Sequence, residues 1–184
     1  AKMRDYLKGY PSELIRGKVT KITIHQKRYG DKTSYSTYGE TAGTFSPSSD
    51  SIDIFGVTAE RKTFAEFDRV IAHELAHGND WMNNEELTTT ERINLLSKVL
   101  VRVMSADRYF SSYAESIVSS DKQTTLAHKC EEYFAVIIAA FLYDPSVLSW
   151  QDVQLADRLM SQLNPAYDVI EGTQLRVRSF TSKL

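Results

Sequence analysis

Cysteine is almost missing from this sequence. Cys130 stands alone, so the chain can close no internal disulfide and cannot build a Cys-rich zinc ribbon. A lone cysteine is most often a small buried hydrophobe. Also missing is an apolar run fit to cross a bilayer: the longest, YFAVIIAAFLY, extends only from Tyr133 to Tyr143, against the about 20 residues of a spanning helix. Neither charge is in large excess. With 22 basic and 24 acidic residues the formal charge is −2, which offers no attraction to a polyanion, and nucleic acid is not expected as a partner. The basic cluster HQKRYGDK, His25 to Lys32, reads as a solvated strand end and turn. No signal-peptide pattern is visible in AKMRDYLKGY, and no repeats or low-complexity tracts occur.

What is present is the material of a folded domain. Of 184 residues, 42% are hydrophobic and 25% charged, a soluble balance in a chain long enough to bury a core. No Gly/Pro/Ser-rich linker divides it, so one domain over residues 1–184 is expected, with a sheet part to about residue 62 and a helical part from about 63. The β-branched residues of KVTKITIHQ (Lys18 to Gln26) predict a strand. In GTFSPSSDSIDIFG, runs from about Ala42 to Ser46 and from Ser51 to Phe55 flank Pro47-Ser48-Ser49-Asp50, the composition of a hairpin turn. RYGDKTSYSTYGETAG, between the two, reads as a loop. After Thr63 the signals are helical. Thr63 with Glu66, Thr88 with Glu91, Ser120 with Gln123 and Ser149 with Asp152 are capping-box pairs. Ile93, Leu96, Leu100 and Val103 are the expected buried face of the second helix; Val153, Ala156, Met160 and Leu163 are that of the fourth. Strands followed by helices imply an α+β domain.

The chemistry is concentrated in FDRVIAHELAHGNDW, Phe67 to Trp81. On a helix starting near Thr63, His73 and His77 are four steps apart and so lie only about 40° from each other round the axis. Two imidazoles so placed can reach one metal ion. Glu74 points about 100° from His73, away from the ligand direction, where it can take a proton from a water beside the metal. This is the H-E-x-x-H pattern: two neutral nitrogen ligands and a separate base. Val70, Ile71, Ala72, Leu75 and Ala76 surround it, so the helix is expected to be buried, where unemployed polar groups are costly. Gly78 follows at once and lets the chain leave the helix or a ligand approach. The bland alternative is a pair of core histidines bonded to backbone.

A catalytic zinc takes a third protein ligand and keeps one position open. The metzincin pattern would need glycine at position 80 and histidine or aspartate at 83, where the chain has Asp80 and Asn83, so that class is excluded. The best remaining source is HKCEEYFAVIIAAF, His128 to Phe141, an apolar helix headed by Glu131 and Glu132. Carboxylates there are costly unless paired or coordinated. Periodicity does not choose between them: Glu131 lies above Phe134, Ala135 and Ile138, and Glu132 above Ala135, Val136 and Ala139. His128, on the Glu132 face, is a weaker competitor.

In order along the chain, GTFSPSSDSIDIFG, VIAHELAHGNDW, FSSYAES and EEYFAVIIAAF resemble segments of the catalytic domain of anthrax lethal factor and of the related bacterial Pro-Pro endopeptidases. The resemblance covers about Gly43 to Phe141. It implies a zincin-like fold and a gluzincin zinc metalloprotease, with His73, His77 and Glu132 as zinc ligands and Glu74 as general base. It further implies Tyr113 as the residue that steadies the oxyanion and Asp80 as a partner behind the ligands; among the ten tyrosines of the chain, Tyr109 and Tyr167 are alternatives for the same task. Val136 departs from the family, which often has a second glutamate there, and the segment from Tyr113 to Glu132 is longer than in those relatives. The implied partner is a protein or peptide substrate, with a secreted or host-delivered role. The strand Ser51 to Phe55 is then the expected edge along which an extended peptide adds. His128 is a second candidate donor to the oxyanion. The rival expectation is a non-catalytic zinc-binding or interaction domain that retains the zincin shape.

Overall fold

The computed structural model describes residues 19–25, 43–55, 64–105, 112–119, 125–143 and 145–163. Its architecture is α+β. Three short strands, β1 (Lys21–Ile24), β2 (Gly43–Ser46) and β3 (Ser51–Ile54), form a mixed sheet. Helices α1 (Phe64–His77), α2 (Thr89–Ser105), α3 (Ser112–Ser119), α4 (Leu126–Tyr143) and α5 (Trp150–Leu163) follow, with a 3-10 turn at Pro145–Val147.

The predicted hairpin is present. β2 and β3 pair antiparallel with Ser46 opposite Ser51 and Gly43 opposite Ile54. Asp50, at the end of the turn, has φ of 45°, a left-handed conformation that a short polar side chain tolerates better than a branched one. β1 pairs parallel to the other side of β3, Lys21 opposite Ser51. The order is therefore β1-β3-β2, and the expectation that Ser51–Phe55 is an edge strand is corrected. It is the central strand; β2 lies at one edge and β1 at the other. The reason is topological: β1 comes from earlier in the chain and crosses over, which the local pattern does not reveal.

Alternation along β3 sends Ile52 and Ile54 to one face, both fully buried. There they pack with Ile71, Ala72 and Leu75 of α1 and with Ala139 of α4. On the outer part of the sheet His25 Nε2 lies 2.7 Å from Asp53 Oδ1 and stacks on Phe55, so this end of the predicted basic cluster is tied to the strand beside it.

Helix α4 is the axis of the molecule. From Tyr133 to Phe141 every residue is buried, as expected of a helix that is apolar all round. Tyr133, Phe134, Ile137, Ile138 and Phe141 are fully buried, each worth roughly 1.5–3 kcal/mol of burial. They pack with Leu95, Val99 and Val103 of α2 and with Val153, Ala156 and Leu159 of α5. On another side, small residues let α4 lie close to α1 and the sheet.

The Thr88–Glu91 capping box forms, with Thr88 N–H donating to Glu91 Oε2 at 2.8 Å and Glu91 N–H to Thr88 Oγ1 at 3.3 Å. Ser149 Oγ caps α5 by accepting from Asp152 N–H. The Thr63–Glu66 and Ser120–Gln123 pairs lie outside the described residues. α4 starts at Leu126, and Thr125 Oγ1 accepts the His128 N–H. The expected face of α2 is corrected as well. Leu95, Val99 and Val103 are buried, whereas Ile93 is exposed and Leu96 and Leu100 are half-buried. Apolar residues occur on two faces of this helix, so periodicity alone misplaces the centre of the buried face, though Val103 is buried as expected and Leu96 and Leu100 pack against the core.

Asp152, fully buried, joins three helices. Arg102 of α2 donates to both its oxygens at 2.8 and 3.0 Å, Tyr133 of α4 to Oδ1 at 3.0 Å, and Ser149 to Oδ2 at 2.6 Å. Toward the other end of the same pair, Lys98 donates to Gln162 and Gln162 to the Glu91 carbonyl, so α2 and α5 run antiparallel. No helix among the described residues is long and apolar enough to cross a membrane.

Candidate metal centre

The site is built where α1 crosses α4. Helical spacing puts His73 and His77 on the α1 face that meets α4, their rings 4.7 Å apart and nearly perpendicular. The two Nε2 atoms are 3.2 Å from each other. Across the seam, Glu132 in the second turn of α4 brings Oε2 to 3.4 Å from His73 Nε2 and Oε1 to 3.5 Å from His77 Nε2. One ligand atom from each of the three lies within 4.8 Å of the others. The close approach is helped by a small residue on the α4 face below Glu132: Ala139 lies in one buried cluster with Ala72 and Leu75 of α1.

The electrostatics follow from this crowding. Burial on its own would lower the His77 pKa, but its partners Asp80 and Glu132, with the further charge of Glu74, outweigh burial and push it up to about 10. Burial likewise disfavours the Glu132 carboxylate, yet His73 and His77 win and hold it well below the usual carboxylate range. A cation between these atoms would replace the proton that His77 otherwise keeps. Two imidazole nitrogens and one carboxylate oxygen, each only partly exposed, form a group that could hold a small divalent ion.

Glu74 is not among the three converging groups, as its position on the helix predicts. It is 5% exposed and lies against β2. The Phe45 N–H donates to its carboxylate, while Gly43 supplies the room: a Cβ there would come within 2.8 Å of Glu74 Oε1 and of Val70. Burial raises the Glu74 pKa, and the Glu132 charge adds to this; His73, His77 and the Phe45 amide oppose without cancelling it. A carboxylate so placed is suited to hold a proton and release it.

Behind His77 stands Asp80, 1% exposed, with Oδ2 3.7 Å from Nδ1. That distance is a charge contact, longer than a hydrogen bond. Asp80 is fixed by the backbone N–H groups of Met82 and Asn83, which donate to Oδ1 at 2.8 and 2.9 Å. The Asn83 amide also donates to the His77 carbonyl at 2.9 Å and to Asp80 Oδ2 at 3.3 Å. This turn closes the end of α1 and holds a buried carboxylate behind the second imidazole, where metal-binding histidines commonly have one.

Of the remaining predicted residues, Glu131 turns aside from the three converging groups. Burial and the Asp80 charge raise its pKa, and His128 Nδ1 lies 3.6 Å from it. His128 is about half exposed, with Nε2 4.0 Å from Glu132 Oε1. The geometry therefore favours Glu132 over Glu131 and puts His128 at the margin. Tyr113 belongs to α3, but its side chain lies outside the described residues, as do Tyr109 and Tyr167. Val136 is buried in the helical core. Sequence reasoning missed Gly43, Phe45 and Asn83. Only Gly43 carried a signal, a glycine opening a strand, and nothing local says that Glu74 lies above it. Comparison with protein-family models, with curated proteins and with solved structures finds no match to this chain.

Proposed function

We propose that this chain is a zinc-dependent metalloendopeptidase of zincin-like fold. The observation that carries the reading is the convergence of His73, His77 and Glu132 beside a separate buried carboxylate, Glu74. The motif resemblance to the lethal factor and Pro-Pro endopeptidase group supports it from the sequence side. Imidazole-imidazole-carboxylate sets also suit non-haem iron, but a base at the ligand cluster favours hydrolysis over oxygen chemistry.

His73, His77 and Glu132 would hold the ion, with Asp80 keeping the His77 ring in place. Zinc, when bound, supplies a Lewis acid that acidifies water and polarises a carbonyl. Glu74 would accept the proton of the attacking water and pass it to the leaving amine. The Phe45 N–H steadies that carboxylate from the strand side. The side of β2 that pairs with no other strand among the described residues, and not β3, is then the edge on which an extended peptide would pair. Tyr113 or His128 would donate to the developing oxyanion.

The test is hydrolysis of a peptide library, with and without chelator, alongside elemental analysis. The parent should contain one zinc per chain and lose activity to the chelator. Glu74→Gln should keep the zinc and lose about 10²–10⁴-fold in rate, the usual worth of a general base. A parent that binds zinc and cuts nothing would establish the non-catalytic rival; a chain without metal would remove both.

A further inference from the structure

The turn that leaves α1 is held from a second helix. Arg92, half-buried in the first turn of α2, donates from Nη1 to the Trp81 carbonyl at 2.6 Å, from Nη2 to that of Asn84 at 2.8 Å and from Nε to that of Leu87 at 3.1 Å. Nη1 also approaches the Met82 carbonyl at 3.4 Å. Among the described residues, its bonds all go to main-chain oxygens. Arg102 of the same helix, by contrast, meets the Asp152 carboxylate directly.

Two of those oxygens belong to peptide groups whose other end is also engaged. The peptide joining Trp81 to Met82 turns its oxygen to the guanidinium and its N–H to Asp80 Oδ1, 2.8 Å away. The peptide joining Met82 to Asn83 repeats this more loosely, with its N–H 2.9 Å from the same Oδ1. A cation thus stands at one end of two amides and a carboxylate at the other. Each amide is polarised in the sense that strengthens both of its bonds. A cation that only capped the carbonyls left over at a helix end would need no such alignment. Asp80 is 1% exposed, and burying a carboxylate is costly without a positive partner. The place of the turn itself is fixed elsewhere: Trp81 is buried with its ring edge-on to Phe134 of α4. What is left to Arg92 is the direction in which the peptide groups point.

We propose that Arg92 is a positioning residue of the metal centre. Through the two peptide groups it is the cation that holds Asp80 behind His77, and it thereby sets how tightly the site grips zinc. This rests on the reading that His73, His77 and Glu132 hold the ion; Arg92 acts on them only by way of Asp80.

A double-mutant cycle on zinc affinity tests it, read by competition with a chromogenic chelator at a temperature where circular dichroism shows every variant folded. Asp80→Asn should weaken zinc binding about 10- to 100-fold, the usual worth of a group that orients a metal-bound histidine. Arg92→Met keeps the reach of the side chain without its charge or donors, and should weaken zinc binding about tenfold. The double variant should bind zinc as Asp80→Asn does, because the arginine then has nothing left to hold. If Arg92→Met does not fold, Arg92→Lys takes its place in the cycle, with a smaller loss expected and the same criteria. An arginine that serves the fold alone would lower the melting temperature and leave zinc affinity unchanged, or would add its loss in full to that of Asp80→Asn. Either result overturns the inference, as does an Asp80→Asn protein that keeps the parent's affinity. In each of these cases the parent still binds zinc and the metal reading stands. A parent that takes up no zinc removes that reading and this inference together.

Discussion

Two polar clusters are buried on different sides of α4, and they balance their charges in different ways. Around Asp152 one acid meets a guanidinium, a phenol and a hydroxyl, all within 3.0 Å. Donors match acceptors and the charges cancel. Around Glu132 the converging atoms are two imidazole nitrogens and a carboxylate, with a second carboxylate close by. Neutral imidazoles offer lone pairs at that point, so the cluster is a set of acceptors held together, in the metal-free protein, by a proton on His77. Burial of polar groups is common to both. The balance of donors and acceptors separates a structural knot from a binding site.

Breaking each cluster should therefore have a different signature. Arg102→Met leaves the Asp152 carboxylate buried without its counter-charge. It should cost about 3–5 kcal/mol in denaturant unfolding, equally with and without zinc. A loss that zinc repaired would mean the knot and the site are one unit. Glu132→Ala removes one of the three candidate ligands and should weaken zinc binding about 100-fold or more, read by competition with a chromogenic chelator. Its metal-free stability should change far less than that of Arg102→Met. Unchanged zinc affinity would return the ligand role to Glu131 or His128.

The next contrast is with pH. The folded His77 pKa is raised, from 6.5 to about 10. In the metal-free protein its contribution to stability is complete below about 6.5 and is lost as pH rises toward about 10. Zinc must displace that proton, so its stabilising effect should run the other way, growing about tenfold in affinity per pH unit over the same window. Thermal shifts with and without zinc at pH 6 and 8 measure this; a shift independent of pH would show that His77 is already neutral. The smallest effect is expected at the strand side. Gly43→Ala drives a methyl into Glu74 and Val70, costing about 1–3 kcal/mol of overpacking. Zinc should remain bound while hydrolysis falls.

How much of this could be read from the residues depended on range. His73, Glu74 and His77 are one helical turn apart, so spacing alone fixes their relation. Glu132 needs the packing of α4 on α1, and the sequence left it level with Glu131 until the resemblance was drawn. The hairpin was legible because its turn is local. The central place of β3 was not, because β1 reaches it by a crossover. On α2, apolar residues on two faces made the periodicity ambiguous: Val103 is buried as expected and Leu96 and Leu100 pack partly buried against the core, but Ile93 is exposed and Leu95 and Val99 are buried in its stead. Phe45 escaped notice because a contact between strand and helix leaves no mark in either segment, and the glycine that opens β2 does not say which helix side chain needs its room.

Glu132 and Tyr133 are consecutive, yet one meets the histidines of α1 and the other the aspartate of α5. α4 thus works like a camshaft held by two bearings. A sideways creep or a small rotation that suited one bearing would misalign the other. Substitutions accumulating in α5, remote from any ligand, would then retune the grip on the ion, and variants of metal preference should be sought there as readily as at the site.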